Sequence, residues 1–104
     1  MRWKKFSVSL TKGDVLDVKI GAEGNKIKVF ALNYRTKIGE RFFEVYRVDN
    51  AHGFLHEQRY WISPEPISIP TMGKEIKDIF DFYLKFIREN FEGYKHYFLE
   101  RKRK

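Results

Sequence analysis

The chain reads as α+β: an antiparallel β-meander of about five strands followed by one long C-terminal amphipathic helix packed on one face. Two observations lead there. Over residues 6–62, apolar and polar side chains alternate in short runs broken by turn residues, which is the two-residue period of strands. From residue 72 the apolar period lengthens to about 3.6, with charges filling the opposite face. A length of 104 residues suits a single domain with one core. Ten Phe, six Tyr and two Trp supply that core with large apolar area.

The first strand is expected over Phe6–Leu10, where Phe6, Val8 and Leu10 alternate with Ser7 and Ser9. Lys12-Gly13-Asp14 turns the chain, and Leu16, Val18 and Ile20 then alternate with Asp17 and Lys19. Gly21 to Asn25 makes the next turn. Lys26–Arg35 is a longer strand with a change of face: Ile27 and Val29 point inward first, then Phe30, Leu32 and Tyr34. Such a switch predicts a bulge or a strand covered on both sides. After the turn at 37–40, the last two strands are expected at Arg41–Val48 and Phe54–Ile62, and short connections between all five argue for a meander. All three prolines fall in 63–70, which is read as an extended connector.

The helix is expected over about 72–100, with Thr71 as its N-cap. Ile76, Phe80, Tyr83, Ile87, Phe91, Tyr94 and Phe98 form its apolar stripe, widened by Ile79, Phe82 and Phe86. Gly93 is expected to kink or end it. The stripe is read as the seam against the sheet. Residues 101–104 are read as a basic tail.

Composition narrows the function classes. With no cysteine, disulfides and thiolate metal sites are excluded. The basic start lacks the apolar run of a signal peptide, and no stretch nears the ~18 apolar residues of a membrane span. A soluble, cytoplasmic protein with no membrane partner is therefore expected. A single glutamine, Gln58, amid abundant Lys, Glu and Ile leans toward a thermophile's composition. The net charge of +7 comes from the ends: residues 1–5 carry +3, residues 95–104 carry +4, and the stretch between is neutral. Such ends bind phosphate backbones or serve as solvated tails. There is no Gly-rich phosphate loop, nucleophile elbow or Ser triad, and no cofactor is expected.

Residues 45–61, VYRVDNAHGFLHEQRYW, stand apart. Asp49, Asn50 and Gly53 suit a turn whatever the function. Arg47, His56, Gln58 and Arg59 are too polar for strands that otherwise carry Phe and Val. A four-residue loop, Asn50–Gly53, would oppose Asp49 to Phe54 and Arg47 to His56, with Arg47, Asp49, His56 and Gln58 on one face. A five-residue loop would oppose Tyr46 to His56 and move Arg47 away, because a one-residue slip flips every side chain. Three chemical readings follow. In the first, His56, alone or with His52, acts as general acid or base while Arg47 or Arg59 stabilises a phosphate. Alternatively, His52, His56 and Asp49 or Glu57 bind a divalent metal, although His-x3-His is a zinc spacing on helices rather than on turns. In the third reading Arg47 and Asp49 simply pair and order the turn.

With Arg47, Asp49, Asn50, Ala51 and then His56, the turn resembles the TumE-like family of small toxin–antitoxin proteins and their uncharacterised relatives. Those carry an Arg-x-Asp-Asn-Ala turn followed by His-x-His, and the order of strands, Pro-bearing connector and aromatic helix is similar too. The resemblance covers about residues 41–62. It implies a toxin-like protein acting on RNA as a metal-independent nuclease, with an antitoxin partner. His56 would be the acid or base, Arg47 and Arg59 would hold phosphate, and Asp49 would orient a neighbour. Gln58 stands where the second His would fall; a glutamine exchanges no proton near neutrality, so an acid–base pair would recruit His52 or an arginine. The alternative is a non-enzymatic, homo-oligomeric interaction protein, motivated by more aromatic rings than one small core readily buries.

Overall fold

The structure, a computed structural model, describes residues 1–102. Six strands form one antiparallel sheet in chain order: β1 (Arg2–Thr11), β2 (Asp14–Glu23), β3 (Lys26–Ile38), β4 (Arg41–Asp49), β5 (His56–Arg59) and β6 (Ile67–Ser68). One helix, α1 (Ile76–Lys102), closes the chain. The meander and its single C-terminal helix are those the sequence predicts.

Alternation decides which face α1 covers. Leu16 and Val18 of β2, Phe30, Leu32 and Tyr34 of β3, and Tyr46 and Val48 of β4 are buried. Onto them α1 lays Ile79, Phe80, Ile87, Phe91 and Phe98. Phe30 meets Phe80 edge-on with ring centres 5.6 Å apart, Tyr34 meets Phe91 at 5.7 Å, and Tyr46 stacks on Tyr94 at 4.6 Å. Each such pair adds about 0.5–1.5 kcal/mol beyond the area it buries. Phe82 and Phe86, expected in the seam, instead lie on the exposed side of the helix.

The change of face in β3 is a bulge. Gly21 pairs with Val29 and Ala22 with Ile27, so Lys28 has no partner. The extra residue brings Ile27 to the side of Phe30, where it packs against the core. A second bulge lies in β4: Tyr34 pairs with Tyr46 and Arg35 with Glu44, which leaves Val45 unpaired and buried beside Tyr46.

Several boundaries differ from expectation. β1 begins at Arg2 rather than Phe6, so the N-terminal charges belong to a strand, not to a tail. β5 is four residues long because Ile62 N and Ser63 N both donate to Arg59 O and turn the chain. The connector carries the two-residue edge strand β6, a position that tolerates neighbouring prolines. Helix α1 starts at Ile76, and Thr71 does not cap it. Met72 and Gly73 both take left-handed conformations, φ 56° and 72°, and Lys74 N donates to Thr71 O across the resulting turn. No helical first turn accommodates that backbone. The helix runs unbroken through Gly93 and takes in Arg101 and Lys102 of the expected tail; Arg103 and Lys104 lie outside the described residues.

One polar cluster joins helix to sheet. Asp14, buried at the tip of the β1–β2 hairpin, accepts hydrogen bonds from Thr11 Oγ1, Tyr34 Oη (2.7 Å), Thr36 Oγ1 (2.8 Å) and Lys95 Nζ (3.3 Å). Burial on its own would raise this carboxyl, but the four donors outweigh it and hold it below the usual carboxylate range. Burial and the Asp14 carboxylate together push the Tyr34 phenol far up. Among the described residues, no helix is long and apolar enough to cross a membrane.

Candidate functional site on the helix-free face

Helix α1 covers one face of the sheet; the other is bare of helix, though Ala31, Asp49 and His56 on it are buried. Register assembles its side chains into rows. One row runs Lys5, Lys19, Ala31, Asp49, His56 and Ser68 from β1 to β6; the next runs Ser7, Asp17, Asn33, Arg47 and Gln58. Two open depressions follow these rows. The larger, about 570 Å³, is lined by Lys5, Lys19, Ala31, Asn33, Asp17 and Arg47 among others. The second, about 510 Å³, is lined by Arg47, Asp49, His52, Phe54, His56 and Gln58, with Tyr60 and Pro66. Arg47 belongs to both.

The hairpin register decides which predicted residues meet. β4 and β5 pair as Tyr46 with Arg59, Arg47 with Gln58, Val48 with Glu57 and Asp49 with His56. The loop is therefore six residues, Asn50 to Leu55, longer than either expected length. Relative to the four-residue alternative the slip is two residues, which preserves faces. Arg47, Asp49, His56 and Gln58 do share one face, but Asp49, not Arg47, is opposite His56. The added loop length has a cause in Asn50. Its Oδ1 accepts from Phe30 N at 2.8 Å, and its Nδ2 donates to Lys28 O at 3.0 Å, which ties the loop to the β3 bulge. Gly53, at φ 89°, supplies the positive φ.

Asp49 is the centre of the cluster. Only 1% exposed, it accepts from Arg47 Nε at 2.7 Å and from Ala51 N at 3.0 Å, and its Oδ1 lies 3.3 Å from His56 Nε2. The other nitrogen of His56, Nδ1, lies 3.3 Å from Phe54 O. Both ring nitrogens of this buried histidine thus face oxygens of the protein. His52 is exposed, and its ring lies near-parallel to that of His56 with centres 6.2 Å apart. Arg47 donates to Asp49 through Nε and lines both depressions. Gln58 Nε2 donates to Pro64 O and so braces the connector.

Arg59 is not part of this group. Pairing with Tyr46 puts it on the helix side, where its Nε lies 2.9 Å from Glu57 Oε1. Glu57 in turn accepts from Tyr46 Oη at 2.6 Å. Burial and that carboxylate push the Tyr46 phenol far up, and burial and Glu57 push Tyr94 up to about 12. A phosphate held by Arg47 and Arg59 together would have to pass through the sheet. Among the described residues no group of His, Asp and Glu side chains is arranged to hold a metal ion.

Sequence reasoning missed Lys5, Lys19, Asn33 and Arg35. Lys5 and Lys19 are direct cross-strand neighbours, both exposed, and neither forms an ion pair among the described residues. Like charges so placed cost roughly 0.2–1 kcal/mol. Arg35 pairs with Asp17 (Nε to Oδ2, 2.8 Å), and Ser7 Oγ also donates to Asp17. Burial would raise the Asp17 carboxyl, but the Arg35 guanidinium and the Ser7 hydroxyl hold it below the usual range. Asn33 donates to Glu44, and its own carboxamide oxygen is buried with no partner among the described residues. The signal for these residues was the odd-numbered polar side of the first three strands.

A family model described as a domain of unknown function (DUF7718) matches residues 1–104. The chain belongs to the DUF7718 family. Searches of curated proteins and of solved structures return no match. For this DUF7718 chain the functional reading therefore rests on the bare face itself.

Proposed function

We propose that this protein acts on RNA, as its resemblance to TumE-like toxins implies, and that it takes the phosphate backbone across the bare face of the sheet. One observation carries the reading: Lys5 and Lys19 stand side by side, neither in an ion pair among the described residues, and Arg47 lines the same depression one row away. An anion between them offsets a repulsion that the fold otherwise bears.

The cleavage step of this reading belongs to the corner where the two depressions meet. Arg47 neutralises the phosphate, and the exposed His52 is the group free to exchange a proton. His56 and Asp49 are positioning residues: they hold Arg47 and the base of the loop.

Binding and cleavage are tested separately. With about three phosphates neutralised, the logarithm of the RNA affinity should fall against the logarithm of salt with a slope on the order of −2, and Lys5→Ala with Lys19→Ala should flatten that slope by about 1.4. Equal binding by the double variant would remove the face from consideration. With a chelator present, RNA cleavage by the wild type should vanish in His52→Ala and in Arg47→Ala. A wild type that binds but never cuts would leave a binding protein on the same face.

A second reading is self-association. Phe82, Phe86, Tyr97 and Ile62 are exposed on the helix side, and such apolar surface marks interfaces. Sedimentation at rising concentration tests it; a monomer throughout would dismiss it.

A further inference from the structure

We propose that the RNA bound on the bare face is single-stranded, with bases laid on Trp3, Phe42 and Phe54. The inference rests on the RNA reading of that face and adds the substrate's strandedness.

Three large aromatic side chains stand exposed around the cationic rows: Trp3 (54% exposed), Phe42 (43%) and Phe54 (47%). Register puts Trp3 opposite Gly21 and Phe42 opposite Lys37, on the side of Lys5 and Arg35. Phe54 borders the second depression. Trp3 and Phe42 each have a cation against the ring, and Phe54 has an imidazole. Lys19 Nζ is 4.8 Å from the Trp3 ring centre, Arg35 Cζ is 4.6 Å from that of Phe42, and the His56 ring is 5.0 Å from Phe54.

Gly21 shows that the Trp3 placement is built in. A Cβ at residue 21 would come within 2.7 Å of Met1 Sδ and 2.8 Å of the Trp3 ring, so a larger residue there would have to displace the indole from the strand. Exposed rings beside cations form the pattern by which single strands are held, backbone on charge and bases on aromatic faces. A duplex keeps its base faces stacked inside and offers such rings nothing to bind. The rings therefore favour the unpaired strand over the paired one.

The test uses the full chain with Trp61→Phe, which leaves Trp3 as the sole indole. An unstructured RNA of about twelve nucleotides should quench Trp3 emission, and the corresponding duplex should quench it little and bind more weakly. Trp3→Ala, Phe42→Ala and Phe54→Ala should each weaken single-strand binding about 5- to 150-fold, while duplex binding stays within about twofold. Equal affinity for strand and duplex would overturn the proposal. So would alanine variants that bind like the parent while Lys5→Ala with Lys19→Ala binds weakly, and that result would leave the RNA reading standing. Absence of binding to either RNA would remove both.

Discussion

Replacing Asp14 tests the join between helix and sheet. Asp14→Ala removes the acceptor shared by Tyr34 and Thr36, whose hydroxyls are in fully buried side chains. Tyr34 Oη left without its acceptor costs about 1–3 kcal/mol, and Thr36 Oγ1, which keeps Gly13 O at 3.4 Å, costs about 0–1 kcal/mol. The Lys95 contact, with its side chain one-third exposed, adds about 0–1 kcal/mol. Together these give a loss of about 1–5 kcal/mol, centred near 3. At about 4–8 °C per kcal/mol for a domain of this size, a loss of about 3 kcal/mol lowers Tm by roughly 12–24 °C. Because the folded carboxyl titrates below its ordinary value of 3.8, its contribution is complete above that value and disappears as pH falls through the folded one. Wild type should therefore lose its advantage over Asp14→Asn in acid. Urea denaturation followed by circular dichroism, at neutral pH and stepwise below about pH 4, measures both effects. An Asp14→Ala protein within about 1 kcal/mol of wild type would refute the burial argument. A gap between wild type and Asp14→Asn that is unchanged in acid would refute the linkage.

Three further outcomes follow from the geometry. Asp49→Ala strands the Ala51 amide, Arg47 and His56, and should cost about 2–4 kcal/mol in chemical denaturation; a loss under about 1 kcal/mol would show the cluster is not what orders the loop. Gly93→Ala should stabilise by about 0.5–1 kcal/mol, since a Cβ there meets nothing within 4 Å; a lower Tm would contradict the unbroken helix. Met72→Asn should gain about 0.5–1 kcal/mol, because Met72 is exposed at positive φ and asparagine tolerates that region better; an unchanged or lower Tm would argue against strain in that turn.

Period and alternation carried most of the fold. The face switch in Lys26–Arg35 was visible as a change in which residues are apolar, and the unpaired Lys28 explains it. The start of the helix was not legible, because a left-handed Met72 leaves no mark in composition. In the hairpin, the faces are those of the four-residue alternative and the register is that of neither: Asn50 reaches across to β3, a long-range contact that local turn rules omit. That slip is why Asp49 meets His56; Arg59 is on the far side with Tyr46 because it alternates with Gln58. Lys5 and Lys19 went unnoticed because a cross-strand pair exists only once two strands are aligned.

The meander order has a consequence for how the chain acquires its fold. Every strand pairs with its neighbour in sequence, so the sheet can zip from short loops, at little entropic cost per step. The helix comes last in the chain, and its tie from Lys95 to Asp14 spans 81 residues. Until it docks, Phe30, Leu32, Tyr34 and Tyr46 form a broad apolar surface open to water. Helix docking is then the step that ends a sticky interval, and a chain stopped before Ile76 should aggregate rather than remain a soluble sheet.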